Sequence, residues 1–415
     1  MKYLMINVVC GIRSTGRICT DLAEELECQG NDVKIAYGRE EVPEQYQKYA
    51  VRIGNNMDVK LHALRARVFD DCCFGSKRAT EKFIEWVKVW NPDVIHLHNI
   101  HGYYINIKVL FAYLKSLNGS KKIIWTLHDC WAFTGHCAHF DFIGCDKWKY
   151  GCENCTAKKT YPRSFFLSQS SRNYQVKKEC FTGIEHHITL VPVSNWIESF
   201  LQDSFLKNCK VHTIHNGVDI TLFRPCSEEE KTRLLEKHQL EGKFVVLGCA
   251  APWHERKGYS DFYKLRESLP MNVALIMVGL NPKQKVQAEK AGIIGIMRTE
   301  SQTELAGYYS IADVFINPTY EDNFPTTNLE ALACGTPVIT YQTGGSPEAI
   351  DEHTGLVIPR GDVLALKEAI LTIHSVGKLH FITACRERAV RLYNKQERFE
   401  EYIRLYEHLL NGKVS

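Results

Sequence analysis

At 415 residues the chain is long enough for two domains, each with a full hydrophobic core. Hydrophobic residues make up 45% and the net charge is only +3, the balance of an ordinary soluble enzyme, with no global field to attract nucleic acid. MKYLMINVV is too short an apolar run for a signal peptide or a membrane span, and sixteen cysteines without a secretory signal suit a reducing cytosol.

Short apolar runs alternate with helical patterns throughout, which predicts an α/β chain with parallel sheets. Strands are expected at 3–9, 32–37, 94–98, 122–127, 188–193 and 211–215 in the first half. The first runs into a loop carrying Gly11, Arg13, Gly16 and Arg17, with a helix expected from about Ile18. Glycines allow close backbone approach to a ligand, but G-x-x-x-x-G is not the dinucleotide spacing and no Lys-Ser/Thr follows for a P-loop. A tight strand-to-helix turn explains it equally well. His128 ends the strand 122–127, and His96, His98 and His101 lie at the end of the one before. The carboxyl end of such a strand is where a functional group belongs, although a lone histidine is more often structural.

Beyond His128, Cys137, Cys145, Cys152 and Cys155 cluster near Cys130, His136 and His139, closing on C-x-x-C. The set is compatible with a structural tetrahedral Zn²⁺, although its upstream spacing is looser than a zinc knuckle. From Lys147 to Lys178 basic residues heavily outnumber acidic ones, and Phe165-Phe166-Leu167 lie within. Such a stretch suits anionic lipid or a polyprenyl diphosphate, or equally a solvated face over a buried Phe pair.

A turn signal at Asn216-Gly217-Val218-Asp219, then Phe223-Arg224-Pro225 and a charged segment from Glu228 to Lys237, reads as an interdomain connection. New strands are expected at 244–249, 273–278, 293–296, 314–317, 337–340 and 355–357. The first leads into Cys249-Ala-Ala-Pro-Trp-His-Glu-Arg256-Lys257-Gly258. A last helical stretch, about 386–410, carries Tyr393, Phe399, Tyr402 and Tyr406.

The segment 317–348 reads NPTYEDNFPTTNLEALACGTPVITYQTGGSPE. A strand ends in Asn-Pro and is followed by Glu321-Asp322, Phe324-Pro325 and two hydroxyls, Thr326 and Thr327, that open a helix carrying Glu330. A second strand and a Gly344-Gly345 turn with Glu348 come after. Amides at a helix start attract phosphate. Carboxylates eight residues apart, one in a loop and one on a helix, suit the hydroxyls of a sugar and a ribose rather than a metal.

This segment resembles the donor-site signature of retaining glycosyltransferases of family 4. Asp322 stands at the first acidic position, where the family usually has Glu, and Glu330 at the second. The resemblance implies the GT-B fold: two Rossmann-like doubly wound domains facing across a cleft. They would span 1–218, with a cysteine-rich insertion at about 130–160, and 226–385, with 386–415 a helix packing back on the first or simply ending the second. It implies that Glu330 holds the ribose and Asp322 or Glu321 the sugar. Lys257 would hold the diphosphate with Arg256 and the amides around Thr326 and Thr327, since the family's Arg after the strand is replaced by Ala251 or a near neighbour. Phe324, Gly11 and Gly16 would border the donor, with His128 beside its sugar. It further implies retention of configuration and no cofactor. The donor would be UDP- or GDP-linked and the acceptor a glycan or polyprenyl-diphosphate-linked oligosaccharide, in surface polysaccharide synthesis, with the enzyme cytoplasmic or peripheral on the inner face of the cell membrane. A sugar-nucleotide epimerase of the same fold, or a non-catalytic binder of sugar nucleotides, are the alternatives.

Overall fold

The computed structural model describes residues 1–412 and divides into two compact units, Met1–Ile214 with the chain from Phe399 onward, and His215–Arg398. Every strand pairing in both is parallel. The first unit's sheet has seven strands: β1 (Lys2–Ile6), β2 (Asp32–Tyr37), β3 (Ala50–Arg52), β4 (Val94–Leu97), β5 (Lys122–Leu127), β6 (Ile188–Pro192) and β7 (Lys210–Val211). The second has six: β8 (Phe244–Cys249), β9 (Val273–Val278), β10 (Ile294–Ile296), β11 (Val314–Asn317), β12 (Val338–Tyr341) and β13 (Gly355–Ile358). Their orders, β3-β2-β1-β4-β5-β6-β7 and β10-β9-β8-β11-β12-β13, reverse direction beside β1 and β8. In open α/β sheets ligands bind beyond the carboxyl ends of the strands at such reversals. The loops to watch therefore follow β1 and β4 in one unit and β8 and β11 in the other. Among the described residues no helix is long and apolar enough to cross a membrane.

Four expectations need correction. β1 stops at Ile6, because the buried Asn7 turns its amide onto Val9 O (2.8 Å) and takes the Asn99 N–H (3.3 Å). The following helix starts at Arg13, so Gly16 is not a loop residue; it sits buried in the first turn, against Val9. β3 has no apolar run long enough to announce it, and of the expected strand 211–215 only Val211, with Lys210 before it, lies in the ladder. The last helical stretch is two helices, Ile382–Tyr393 and Lys395–Asn411. Asn394 is extended between them because Val218 bridges it, donating to Tyr393 O (2.8 Å) and accepting from Lys395 N (2.9 Å).

In the last helix Phe399, Tyr402, Ile403 and Tyr406 follow the i, i+3, i+4, i+7 pattern of one face. All four belong to the first unit's core, with Tyr3, Met5, Leu22, Ile35 and Val94. A polar thread runs through that core. His96 on β4 places Nδ1 2.7 Å from Tyr406 Oη and Nε2 2.8 Å from Thr126 Oγ1, which is 3.1 Å from Tyr402 Oη. Burial lowers the His96 imidazole to about 3, with His128 adding to the shift, so it is neutral at pH 7 and works as one donor and one acceptor. Tyr406→Phe removes one partner and leaves a buried ring nitrogen unpaired. It should destabilise the protein by about 1–3 kcal/mol, read as a lower denaturant midpoint.

Candidate active site

The second unit builds its site from the loops that follow β8 and β11. After β8 a short 3-10 turn, Glu255–Lys257, ends at Gly258 with φ +72°, where a Cβ would lie 2.4 Å from Pro318 O. Only glycine lets the turn lie this close to the β11 loop. Arg256 O then accepts the Tyr320 N–H (2.7 Å) and the Thr319 hydroxyl (3.2 Å). This stitching sets the two cations against the two carboxylates. Arg256 Nη1 lies 2.6 Å from Glu321 Oε2, and Lys257 Nζ is ion-paired with Asp322.

Those carboxylates are not equivalent. Glu321 is buried against Arg256, whereas Asp322 keeps part of its surface accessible. The Gly344–Gly345 turn fixes Asp322 from its other side. Gly345 N–H donates to Asp322 O (3.3 Å), and a Cβ on Gly344, at φ +53°, would fall 1.7 Å from that oxygen.

Thr326 and Thr327 open the helix Thr326–Ala333 and are partly exposed. Pro325 at its N-cap has no side-chain acceptor for the first-turn amides. Glu330 lies one turn further, on the face of Thr326, and its Oε2 accepts from Tyr309 Oη at 2.9 Å. Its charge is felt at the end of β8, where burial first and Glu330 second push the Cys249 thiol up to about 12. Behind the helix, Asn328 accepts from Asn317 Nδ2 (2.8 Å) and donates to Ser346 Oγ (2.9 Å), which is 2.7 Å from Thr340 Oγ1. This buried lattice joins β11, the helix and β12. The Phe324 ring turns inward, 4.8 Å from His215 and 5.8 Å from Tyr393, and so packs the loop from beneath. His215 in turn lies 2.9 Å from Glu348.

In the first unit, Gly11 turns with φ +73° after β1, and Arg13 pairs with Glu40 at 2.5 Å while Arg17 is exposed. His128 follows β5, partly accessible, with Nε2 3.0 Å from His98 Nδ1. Burial lowers His128 to about 4 against the opposing pull of Asp129, and puts His98 well below its ordinary value. Both are neutral at pH 7, so one donates to the other. His98 Nε2 is buried without a partner. An orphan lone pair costs less than an orphan N–H, so the proton belongs on His98 Nδ1, donated to His128 Nε2. That leaves His128 carrying its own proton on Nδ1. His101 is bound to Asp129 (2.8 Å) and Tyr161 (3.0 Å). Of the four histidines, His96 and His101 are held wholly within such networks.

The cysteine cluster does not form a metal centre: among the described residues no three His, Cys, Asp or Glu groups are placed to hold an ion. Cys137 and Cys155 hydrogen-bond to each other, and Cys152 Sγ instead accepts the Gly135 N–H at 3.1 Å. Cys137, Cys152 and Cys155 are thus engaged in local contacts, and the zinc reading of Cys137, Cys145, Cys152 and Cys155 is set aside.

The model described as Glycosyltransferase Family 4 matches residues 15–222, and that for glycosyl transferases group 1 matches 243–375. The chain belongs to glycosyltransferase family 4. Over 99% of its length it is 24% identical to the putative colanic acid biosynthesis glycosyl transferase WcaC of Escherichia coli K12, whose whole length is covered. Among solved structures it resembles sucrose-phosphate synthase of Thermosynechococcus elongatus (TM-score 0.70, 18% identity, 99% and 100% of the two chains). It also resembles the HepE protein of Anabaena in complex with UDP-glucose (TM-score 0.65, 15% identity, 98% and 99%). The fold is GT-B, and the chain is a glycosyltransferase.

Tyr309, Asn328 and the Asn317–Ser346 lattice were not legible as site residues in the transferase sequence. Tyr309 lies in the preceding helix, and nothing in its spacing announces Glu330. Asn328 shows only as one polar residue at a helical position that proves fully buried.

Two outcomes follow for the transferase. Gly344→Ala forces a Cβ onto Asp322 O at a left-handed position. It should cost roughly 2–4 kcal/mol and abolish turnover, measured by melting temperature and sugar transfer. Because folding depresses His96 and His128 below the unfolded value near 6.5, the unfolded chain binds their protons first. Their stabilisation is full above about pH 6.5 and is lost progressively as pH falls toward about 4 for His128 and about 3 for His96. A melting temperature that declines over this window in wild type, and less steeply in His96→Gln, checks the sign.

Proposed function

We propose that the chain is a retaining hexosyltransferase that takes sugar from a UDP- or GDP-linked donor and passes it to a glycan or polyprenyl-diphosphate-linked acceptor in surface polysaccharide synthesis, working at the inner face of the cell membrane. The observation that carries this reading is the pairing of Lys257 with Asp322 one loop away from Glu330, which Tyr309 holds by a hydrogen bond. HepE of Anabaena, similar in fold, has been solved with UDP-glucose, and the WcaC relative is described as a colanic acid biosynthesis transferase. Both support a nucleotide-sugar donor and a polysaccharide product.

In this reading Glu330 accepts the ribose hydroxyls. The donor's diphosphate takes Lys257 from Asp322 and lies against the open amides at Thr326 and Thr327. Charge develops on that diphosphate as the glycosidic bond breaks, and cations and amides already fixed in place stabilise it without reorganising. Asp322, released from Lys257, accepts hydroxyls of the transferred sugar. Glu321 stays with Arg256 and holds the loop, so the structure favours Asp322 over Glu321 for the sugar contact. His128 is a neutral hydrogen-bonding imidazole, with His98 fixing its tautomer, as suits the role the family resemblance gives it. No carboxylate nucleophile is assigned; the leaving diphosphate accepts the acceptor's proton.

A thermal-shift panel of UDP, GDP and their common sugars should raise the melting temperature for one base, since ligands that bind the native state stabilise it. Asp322→Ala should keep the shift with the free nucleoside diphosphate and lower transfer by about 100-fold or more. Proton NMR of the first product should show the donor's anomeric configuration. An inverted product, or no shift with any nucleotide, would refute the proposal.

A further inference from the structure

The helix Asn56–Phe69 of the first unit turns its inward face, His62 and Ala66, to the protein. Its opposite face is also apolar. Met57, Leu61, Leu64 and Val68 recur at i, i+4, i+7 and i+11, within one narrow stripe at 100° per residue. Met57 is 61% exposed, Leu61 58% and Leu64 59%. Water-facing helix surfaces ordinarily carry charge at such positions.

The stripe does not end with the helix. Phe165 N–H donates to Arg67 O (2.8 Å) and Gln169 Nε2 to Phe69 O (2.5 Å), which lays the segment 164–169 along the helix's last turn. There Phe165, Phe166 and Leu167 are exposed, Phe166 by 71%, as is Phe69 itself. The aromatics of the basic stretch are therefore outside, not a buried pair. Lys177 of that stretch instead turns inward onto Trp131 O (2.7 Å) and Thr134 O (2.9 Å).

Exposed cations border this apolar surface: Lys60 and Arg67 along the helix, Lys159 and Arg163 beside the loop. The one acid of the helix, Asp58, is engaged in its own capping box. Apolar side chains that stand clear of the surface, ringed by lysine and arginine, match the boundary between acyl chains and anionic headgroups. We infer that the outer face of helix Asn56–Phe69 and the loop Phe165–Leu167 together form a docking surface for an anionic lipid bilayer. It would hold the first unit on the membrane that carries a lipid-linked acceptor. The inference rests on the proposed function for that purpose, but its test does not.

Full-length protein would be floated with vesicles of phosphatidylglycerol and phosphatidylethanolamine, and separately with phosphatidylcholine alone. Wild type should partition at least about tenfold more to the anionic vesicles, and less as salt is raised. Leu61→Glu with Leu64→Glu should lose most of that partition, and Phe166→Ser should lose several-fold, with unchanged melting temperatures and nucleotide thermal shifts. Undiminished binding by these variants, or no binding of wild type to anionic vesicles, would overturn the inference. So would a dimer in sedimentation that the double variant dissociates while vesicle binding persists, because the occupant is then a second copy. If nucleotide shifts are absent yet flotation behaves as stated, it is the transferase reading that fails.

Discussion

Asp322 is clamped from two directions, and the arrangement of the second unit's site depends on that clamp. From one side Lys257 reaches it across the turn that Gly258 allows against Pro318. From the other, the Gly344–Gly345 turn closes on its carbonyl so tightly that no side chain fits. Arg256 and Glu321 form a second, more buried link across the same two loops. A surface ion pair contributes little, but a partly buried pair whose backbone is fixed independently is already in position when a ligand arrives. The loops after β8 and β11 therefore form one preorganised piece, seated where the sheet order reverses. Glu330, at one remove on the helix that follows, is fixed by Tyr309 rather than by this clamp.

The first unit solves a different problem. It lines up three imidazoles, the buried His96 against the buried His98 with ring centres 4.0 Å apart, and His98 against the partly accessible His128. Protonating any of them would place charge in a low-dielectric core, so burial keeps the set neutral and hydrogen bonds orient it. The last helix contributes the hydroxyls of Tyr402 and Tyr406 to that thread, so it helps to orient the histidines as well as covering the core. A neutral, tautomer-fixed His128 at the end of β5 is the product of this arrangement.

Much of the frame was legible in the sequence because parallel strands buried on both faces read as continuous apolar runs. All six strands of the second unit lie within a residue of their expected bounds, and the acidic and basic residues of the β8 and β11 loops do meet. What misled was local. Asn7 ends β1 early because its side chain, not the apolar residues after it, decides the backbone. Gly16 looks like a loop glycine but allows a helix to pack on Val9. Asn394 interrupts the last helix for a bridge to Val218, which lies far away in the chain. The cysteines, close in sequence, fold into local contacts rather than a metal set: Cys137 meets Cys155, and Cys152 takes a backbone N–H. Tyr309 and Asn328 carry no spacing signal, since a side chain that supports a site from behind obeys packing rather than a motif.

The assignment of roles to Lys257 and Glu330 is tested most directly by calorimetric titration of a nucleoside and its diphosphate against wild type, Glu330→Ala and Lys257→Ala. The ribose contact predicts that Glu330→Ala weakens both ligands by a similar factor. The diphosphate contact predicts that Lys257→Ala weakens the diphosphate by about tenfold or more and leaves the nucleoside unchanged. Equal losses for both ligands in Lys257→Ala, or an unaltered nucleoside affinity in Glu330→Ala, would contradict the account.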